Sequence, residues 1–406
     1  GREKIAHSAG WCDTRHALIV SRTAPFSDRA GRTGAVFAIR WHTEDMTTTA
    51  ARLWKTSLDE ISALVRGSVW PITVGLMLVL TLLSTGLGLG EAQPAEYGSD
   101  FDAGRNATAL TALVALVLGI ISGPVVMNSA RKDDRGPANL GTNIVLALIV
   151  GGSLVLAALP SLLWGFANST LEFGELFMLV VTLKFEILAL TLISALIHVA
   201  VVRRTLATVI GGAIVLLITV APAGISAIAA TINGVEQVET YIGVEWTEET
   251  KTDPDTGIVI DPVCSDPTEL TMWKSDPSRT WQILAVSPIV TLAEAIPASV
   301  VSDGGYASDH YATDGVERHL PADTLSALST QFRLAQKPVP ATVLRDECAA
   351  MKNGTTLPYD NPGEVPVDWQ DSTTSGYGIG ILVQSGALVV VAGIAAAAHL
   401  SRRRQS

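Results

Sequence analysis

Six stretches of this chain, at about 69–90, 107–127, 140–167, 174–202, 205–231 and 377–400, run for about twenty residues or more with almost no charge. A helix of about 20 apolar residues crosses the hydrocarbon of a bilayer. Lipid cannot hydrogen-bond a bare backbone, so a run of this length has few other ways to fold. The expected fold class is therefore an all-α polytopic membrane protein of six transmembrane helices. Five spans are clustered (69–231). A long insertion, 232–376, precedes the sixth span at 377–400, and a short tail, 401–406, follows it.

The insertion has the size of an ordinary domain, with Pro, Asp, Gly and Thr throughout and no run long enough to cross. It reads as an extracytoplasmic α+β domain. The charge is segregated accordingly: only 17% of the chain is charged, against about a quarter in soluble proteins, and the net is −11. Thr231 to Gly376 carry 23 Asp and Glu against 8 Lys and Arg, a net of −15, which leaves +4 for the rest. Such a surface either attracts cations and cationic partners or is simply solvated. An acidic excess is the wrong sign for phosphate backbones, so no nucleic-acid partner is expected.

Short loops set the orientation. Arg52, Lys55 and Arg66 precede the first span; Arg131, Lys132 and Arg135 join the second to the third; Arg203 and Arg204 join the fourth to the fifth; Arg402, Arg403 and Arg404 follow the sixth. All fall on one side, while the opposite short loops hold only Arg105. By the positive-inside rule both termini are cytoplasmic, the insertion faces outward, and the location is the plasma membrane.

Residues 1–45 contain no Met, lack any helical or strand period and precede Met46-Thr47-Thr48-Thr49, which has the look of a natural start. They are read as a non-native or disordered leader. They are no signal peptide, having no clean apolar core. From 50 to 66, Leu53, Trp54, Leu58, Ile61, Leu64 and Val65 recur at helical spacing among charged residues. That is the pattern of an amphipathic helix lying on membrane lipid.

Candidate functional residues are few. The loop 128–139, with Arg131, Lys132, Asp133, Asp134 and Arg135, is the one cytoplasmic connection rich in both signs. It suits docking through ion pairs or is a plain solvated turn. Span four holds Lys184, Glu186 and His198, and ionisable groups at such depth are functional by default. Lys184 and Glu186 lie roughly 200° apart around a helix and cannot pair with each other. They line a polar path or fix packing; His198, nearer the cytoplasmic end, reads as packing.

Cys264 and Cys348 share the outer domain, and an oxidising compartment invites a disulfide between them. Asp253, Asp255 and Asp261 resemble a calcium loop, but Cys264 stands where a bidentate Glu is wanted. No metal site is expected, and a Pro-Asp-Gly turn is the better reading. The sequence has no G-x-x-x-x-G-K-[ST], H-E-x-x-H or G-x-S-x-G, so neither nucleotide hydrolysis nor a common hydrolase is legible. The chain reads as a non-enzyme. An intramembrane enzyme using Glu186 and Lys184 is the outside alternative.

One stretch has a further likeness. Arg279-Thr280-Trp281 through Ser287-Pro288-Ile289-Val290 to Leu292-Ala293-Glu294-Ala295-Ile296-Pro297, then Asp323 to Ser329 with Arg333, and the small-residue final span ending in Arg402 to Arg404 resemble a permease subunit of the ABC-two type. Ser287 stands where such chains usually have Asn and Glu294 where Asp is common. Between spans two and three, the Glu-rich, Gly-Thr-containing segment of the family is replaced by Arg131 to Gly136, with Gly141-Thr142 displaced. The resemblance covers about 50–406. It implies an exporting, ATP-driven transporter with ATP on a separate ATP-binding subunit, the charged loop as the coupling element, and assembly as a homodimer or with a related permease. It also implies that 281–297 and 323–335 are helices of the outer domain. The competing class is a membrane sensor or assembly protein whose acidic domain binds an outer ligand.

Overall fold

The computed structural model describes residues 62, 64–90, 102–130, 140–201, 203–245, 251–252, 259–260, 262–302, 319–352 and 375–403. Among them the chain is mostly helical. Helices α1 (Val69–Gly90), α2 (Ala103–Ala130), α3 (Leu140–Ala167), α4 (Phe173–Ala200), α5 (Arg204–Ile232) and α10 (Ser375–Arg403) are long, and each is apolar enough to cross a membrane. The leader 1–45, most of the amphipathic segment 50–66 and the loop from Arg131 to Arg135 lie outside the described residues.

The helix bounds follow chemistry as well as hydropathy. α2 begins at Ala103, four residues before its apolar run, because Asp102 Oδ1 accepts the backbone N–H of Arg105 at 2.8 Å. Such side-chain caps satisfy donors that the first turn leaves free. Pro124, Pro160 and Pro222 sit inside α2, α3 and α5. Neighbouring helices make such breaks tolerable in a bundle.

α4 is the centre of the bundle, packed against α2, α3, α5 and α10. Small residues make this possible. A Cβ at Gly119 of α2 would lie 2.7 Å from Ile187 Cγ1, and one at Gly151 of α3 would lie 2.6 Å from Leu188 Cδ2. Leu179, Leu183 and Ile187 of α4 are fully buried with Leu116, Leu154 and Leu162 of its neighbours. α1, α5 and α10 bury much less of themselves and show wide apolar faces, among them Leu76, Leu83, Leu216, Val220, Leu382 and Val389.

Between α5 and α10 lies the sheet region. β1 (Val235–Ile242) pairs antiparallel with β6 (Thr268–Lys274) and parallel with β9 (Thr342–Asp346), Val238 facing Thr271 on one side and Thr342 on the other. Short ladders join β2 (Val244–Glu245) to β5 (Val263–Cys264), β3 (Lys251–Thr252) to β4 (Val259–Ile260), and β7 (Val300–Ser302) to β8 (His319–Pro321). Cys264, at the end of β5, is disulfide-bonded to Cys348 in α9 (Glu347–Lys352), with the Cα atoms 5.4 Å apart. The remaining helices are α6 (Trp281–Leu284), α7 (Pro288–Ala293) and α8 (Thr324–Leu334). Because β1 follows directly on α5, the spans have a sheet end, where α5 stops at Ile232, and a far end.

Candidate functional site

The two ionisable residues in the middle of α4 part company as their spacing requires. Glu186 is fully buried, facing the bundle. Lys184 is exposed on the outside of it, in line with exposed Phe173, Phe177, Met178 and Val181. At 1.5 Å per residue, Lys184 lies roughly 16 Å below the sheet end of α4 and Glu186 roughly 20 Å below.

One partner of the bundle comes from outside the six spans. The stretch from Trp281 to Ala293 does not stay with the strands. Helices α6 and α7 turn back at Ser287-Pro288, a natural break because the residue before Pro disfavours helix, and this turn enters the bundle. The hydroxyl of Ser287 reaches the carbonyl of Thr219 at 3.4 Å, in the middle of α5. Ile289 and Leu292 join the core of the spans. α10 closes over the turn: Gln384 Nε2 donates to Val286 O and to Thr291 Oγ1, both at 3.2 Å. Gly380 lets the helix approach, since a Cβ there would stand 2.3 Å from Thr291 Oγ1 and 2.6 Å from Ala285 O. By its packing this segment belongs with the spans rather than with the strands. It is too short to cross, but apolar enough to be buried from one end.

The turn is anchored where it leaves the bundle. Glu294, at the C-terminus of α7, accepts a hydrogen bond from the Ser329 hydroxyl at 2.5 Å and faces Arg333 Nε at 3.6 Å, all three side chains being buried. Burial pushes the Glu294 carboxyl above its ordinary range, and the Ser329 hydroxyl and Arg333 charge only partly oppose it. Trp281 meets Phe332 edge to face at 5.9 Å between ring centres.

At the sheet end, Arg105 binds three elements at once. Its guanidinium donates from Nε to Asp323 Oδ2 at 2.8 Å, from Nη1 to Glu175 Oε2 at 3.3 Å and from Nη2 to Pro297 O at 2.9 Å. The neighbouring Asn106 Oδ1 accepts the Thr324 hydroxyl at 2.8 Å. A planar, fork-shaped donor is the side chain suited to such a junction. Asp102 ties the loop before α4 in as well, accepting the backbone N–H and hydroxyl of Thr170 at 2.7 and 2.5 Å.

At the far end His198 is buried, its Nδ1 lying 2.8 Å from Ser194 O and its Nε2 3.4 Å from the Thr208 hydroxyl. Arg402 of α10 donates to the last carbonyls of α4, to Val199 O at 2.8 Å and to Ala200 O. Cations are favoured at a helix C-terminus. Among the described residues no group of three His, Cys, Asp or Glu could hold a metal ion.

The site therefore combines residues singled out by charge, Lys184 and Glu186, with others that carry little signal on their own. Gln384 is one amide in an apolar run. Arg105 shows only as the lone base of its loops, and Glu294 only as an acid beside a Pro. Six helices long and apolar enough to cross a membrane make the chain a multi-pass membrane protein. No family model, curated protein or solved structure matches it.

Proposed function

We propose that the chain is the membrane-spanning permease subunit of an ATP-driven exporter of the ABC-two type, with ATP held by a separate ATP-binding subunit. In this reading the far end is cytoplasmic, the loop 128–139 docks on the ATPase, and residues 232–376 face outward as an α+β domain, apart from the α6–α7 turn that enters the bundle. The observation that carries it is Lys184. A cation at mid-depth, turned away from its own bundle, is costly against lipid. A second permease subunit laid along Phe177, Val181 and Lys184 takes that charge out of lipid and makes the stripe one wall of a path.

The basic short loops on one side support the orientation, and the lack of a phosphate loop in the sequence agrees with hydrolysis on a partner. Closure of the ATPases would pull on the coupling loops and shift the spans between inward-open and outward-open packings, a rigid-body switch. The chain itself would carry no catalytic residue.

The test is purification from native membranes in a mild detergent, followed by flux in vesicles. An ATP-binding subunit is expected to copurify, and Lys184→Leu is expected to lower ATP-dependent flux while the complex stays assembled. A functional chain that purifies free of any ATP-binding subunit overturns the reading in favour of a sensor with an acidic outer domain.

A further inference from the structure

Lys184 stands at the inner end of the part of α4 that shows outside the bundle. Phe173, Phe177, Val181 and Lys184 recur at spacings of four, four and three, which puts them on one face of a helix, and all four are exposed. From Phe185 to Ala200 the helix has no exposed residue, so the stripe ends in the ammonium group. Among the described residues no carboxylate pairs with Lys184. A stripe of roughly 16 Å, apolar except for one cation at its inner end, calls for an acceptor carried to mid-depth by whatever lies along it.

Lipid does not supply that acceptor. Helix side chains lean toward the N-terminus, here the sheet end, and a lysine stem reaching about 6 Å leaves the ammonium roughly 10 Å short of the first residue of α4. Nor does a second copy of this chain. The six spans contain two acids, Glu175 and Glu186, both on α4. Glu186 is fully buried. Glu175 is bonded to Arg105 at 3.3 Å and lies roughly 14 Å nearer the sheet end than Lys184. Copies inserted in the same sense sit at equal depth, so Glu175 of one stays above Lys184 of the other and Glu186 stays inside its own bundle. Two copies joined along this stripe by a twofold axis set cation against cation.

We infer that the stripe seats a different membrane chain, one whose facing helix carries an Asp or Glu at the depth of Lys184. Phe173, Phe177 and Val181 supply apolar contact along its outer part, and the ion pair at the inner end fixes the depth and register of the partner. A lysine and a carboxylate leave water together only as a matched pair, so a helix that is apolar at this level is rejected. The inference rests on the reading that a second permease subunit covers the stripe, and it selects assembly with a related chain over the homodimer.

Photocrosslinking in native membranes tests it, with the full chain carrying Phe177→benzoylphenylalanine. The expected adduct joins one copy of this chain to a different chain, through a span that contains an Asp or Glu. Lys184→Glu is expected to lower the yield of that adduct about tenfold or more, and a Lys in place of the partner's carboxylate is expected to restore it. Should Lys184→Glu not fold, Lys184→Gln replaces it, with a smaller loss expected. An adduct of two copies, labelling of lipid alone, a crosslinked span without Asp or Glu, or a yield that the Lys184 variants leave unchanged overturns the proposal. Copurification of an ATP-binding subunit with the adduct is read separately, and its absence counts against the transporter and not against the pairing.

Discussion

Arg105, in the first turn of α2, and Asp323, capping α8, are joined by a 2.8 Å hydrogen bond across 218 residues of sequence. Asp323 also accepts the backbone N–H of Ser326 at 2.8 Å and its hydroxyl at 2.7 Å, so one carboxylate both starts α8 and fastens it to the spans. Arg105→Ala leaves that carboxylate buried without its counter-charge. The expected loss is about 3–5 kcal/mol, the usual cost of breaking a buried pair from one side. Arg105→Lys should fall between, keeping the charge but not the fork. Thermal unfolding in detergent reads both, and an unchanged midpoint for the alanine variant would refute the role.

Gly380 and Gly386 offer a matched pair on α10. A methyl at Gly380 meets the backbone carbonyl of Ala285 and the hydroxyl of Thr291, whereas one at Gly386 meets nothing within 4 Å. Overpacking of this sort costs about 1–3 kcal/mol. Gly380→Ala should therefore lower the unfolding midpoint, and Gly386→Ala should leave it level or raise it slightly, since Ala favours helix. Equal effects would show that α10 is not seated on the α6–α7 turn.

Much of the fold was legible and the most telling part of the site was not. Length and apolarity suffice for the six spans, because few other structures bury such runs. Their ends depend on caps such as Asp102, which hydropathy does not see. The run through Ser287-Pro288 is shorter than a span and sits in a segment rich in polar residues, so hydropathy leaves it with the insertion, and a helix of the outer domain is what the resemblance implies. Its descent between α5 and α10 depends on tertiary partners, Thr219 and Gln384, that lie 68 and 98 residues from their contacts in the chain. Lys184 and Glu186 stood out because charge is rare in hydrocarbon, but which of them faced inward could not be read from a spacing of two.

Glu294 should give stability a pH dependence. Its carboxyl is held above the ordinary 4.5 chiefly by burial, so the folded chain binds the proton more readily than the unfolded chain does. The contribution is fully present below the unfolded value and is lost as pH rises through the folded one. Unfolding midpoints measured upward from about pH 4.5 should decline for wild type, and this part of the slope should vanish in Glu294→Gln. A slope unchanged by the substitution would locate the effect elsewhere.

The Cys264–Cys348 bridge closes a separation of 84 residues. In the chain-entropy account a loop of that length is worth about 4.5 kcal/mol. Reduction, or Cys264→Ser with Cys348→Ser, should expose the segment from β1 to α9 to protease while the spans stay protected, as limited digestion with and without reductant would reveal. Equal digestion rates would mean that the ladders hold without it.

The place of α10 also has a consequence in time. A ribosome making about 5–20 residues per second needs roughly 7–30 s for the stretch of chain between Ile232 and Ser375. Throughout that interval Glu186 and the open flank of α4 wait in the bilayer without Gln384 or Arg402. The first five spans must persist as an unfinished assembly, and the last helix, latched about a third of the way along by Gln384 and at its end by Arg402, is the step that completes it.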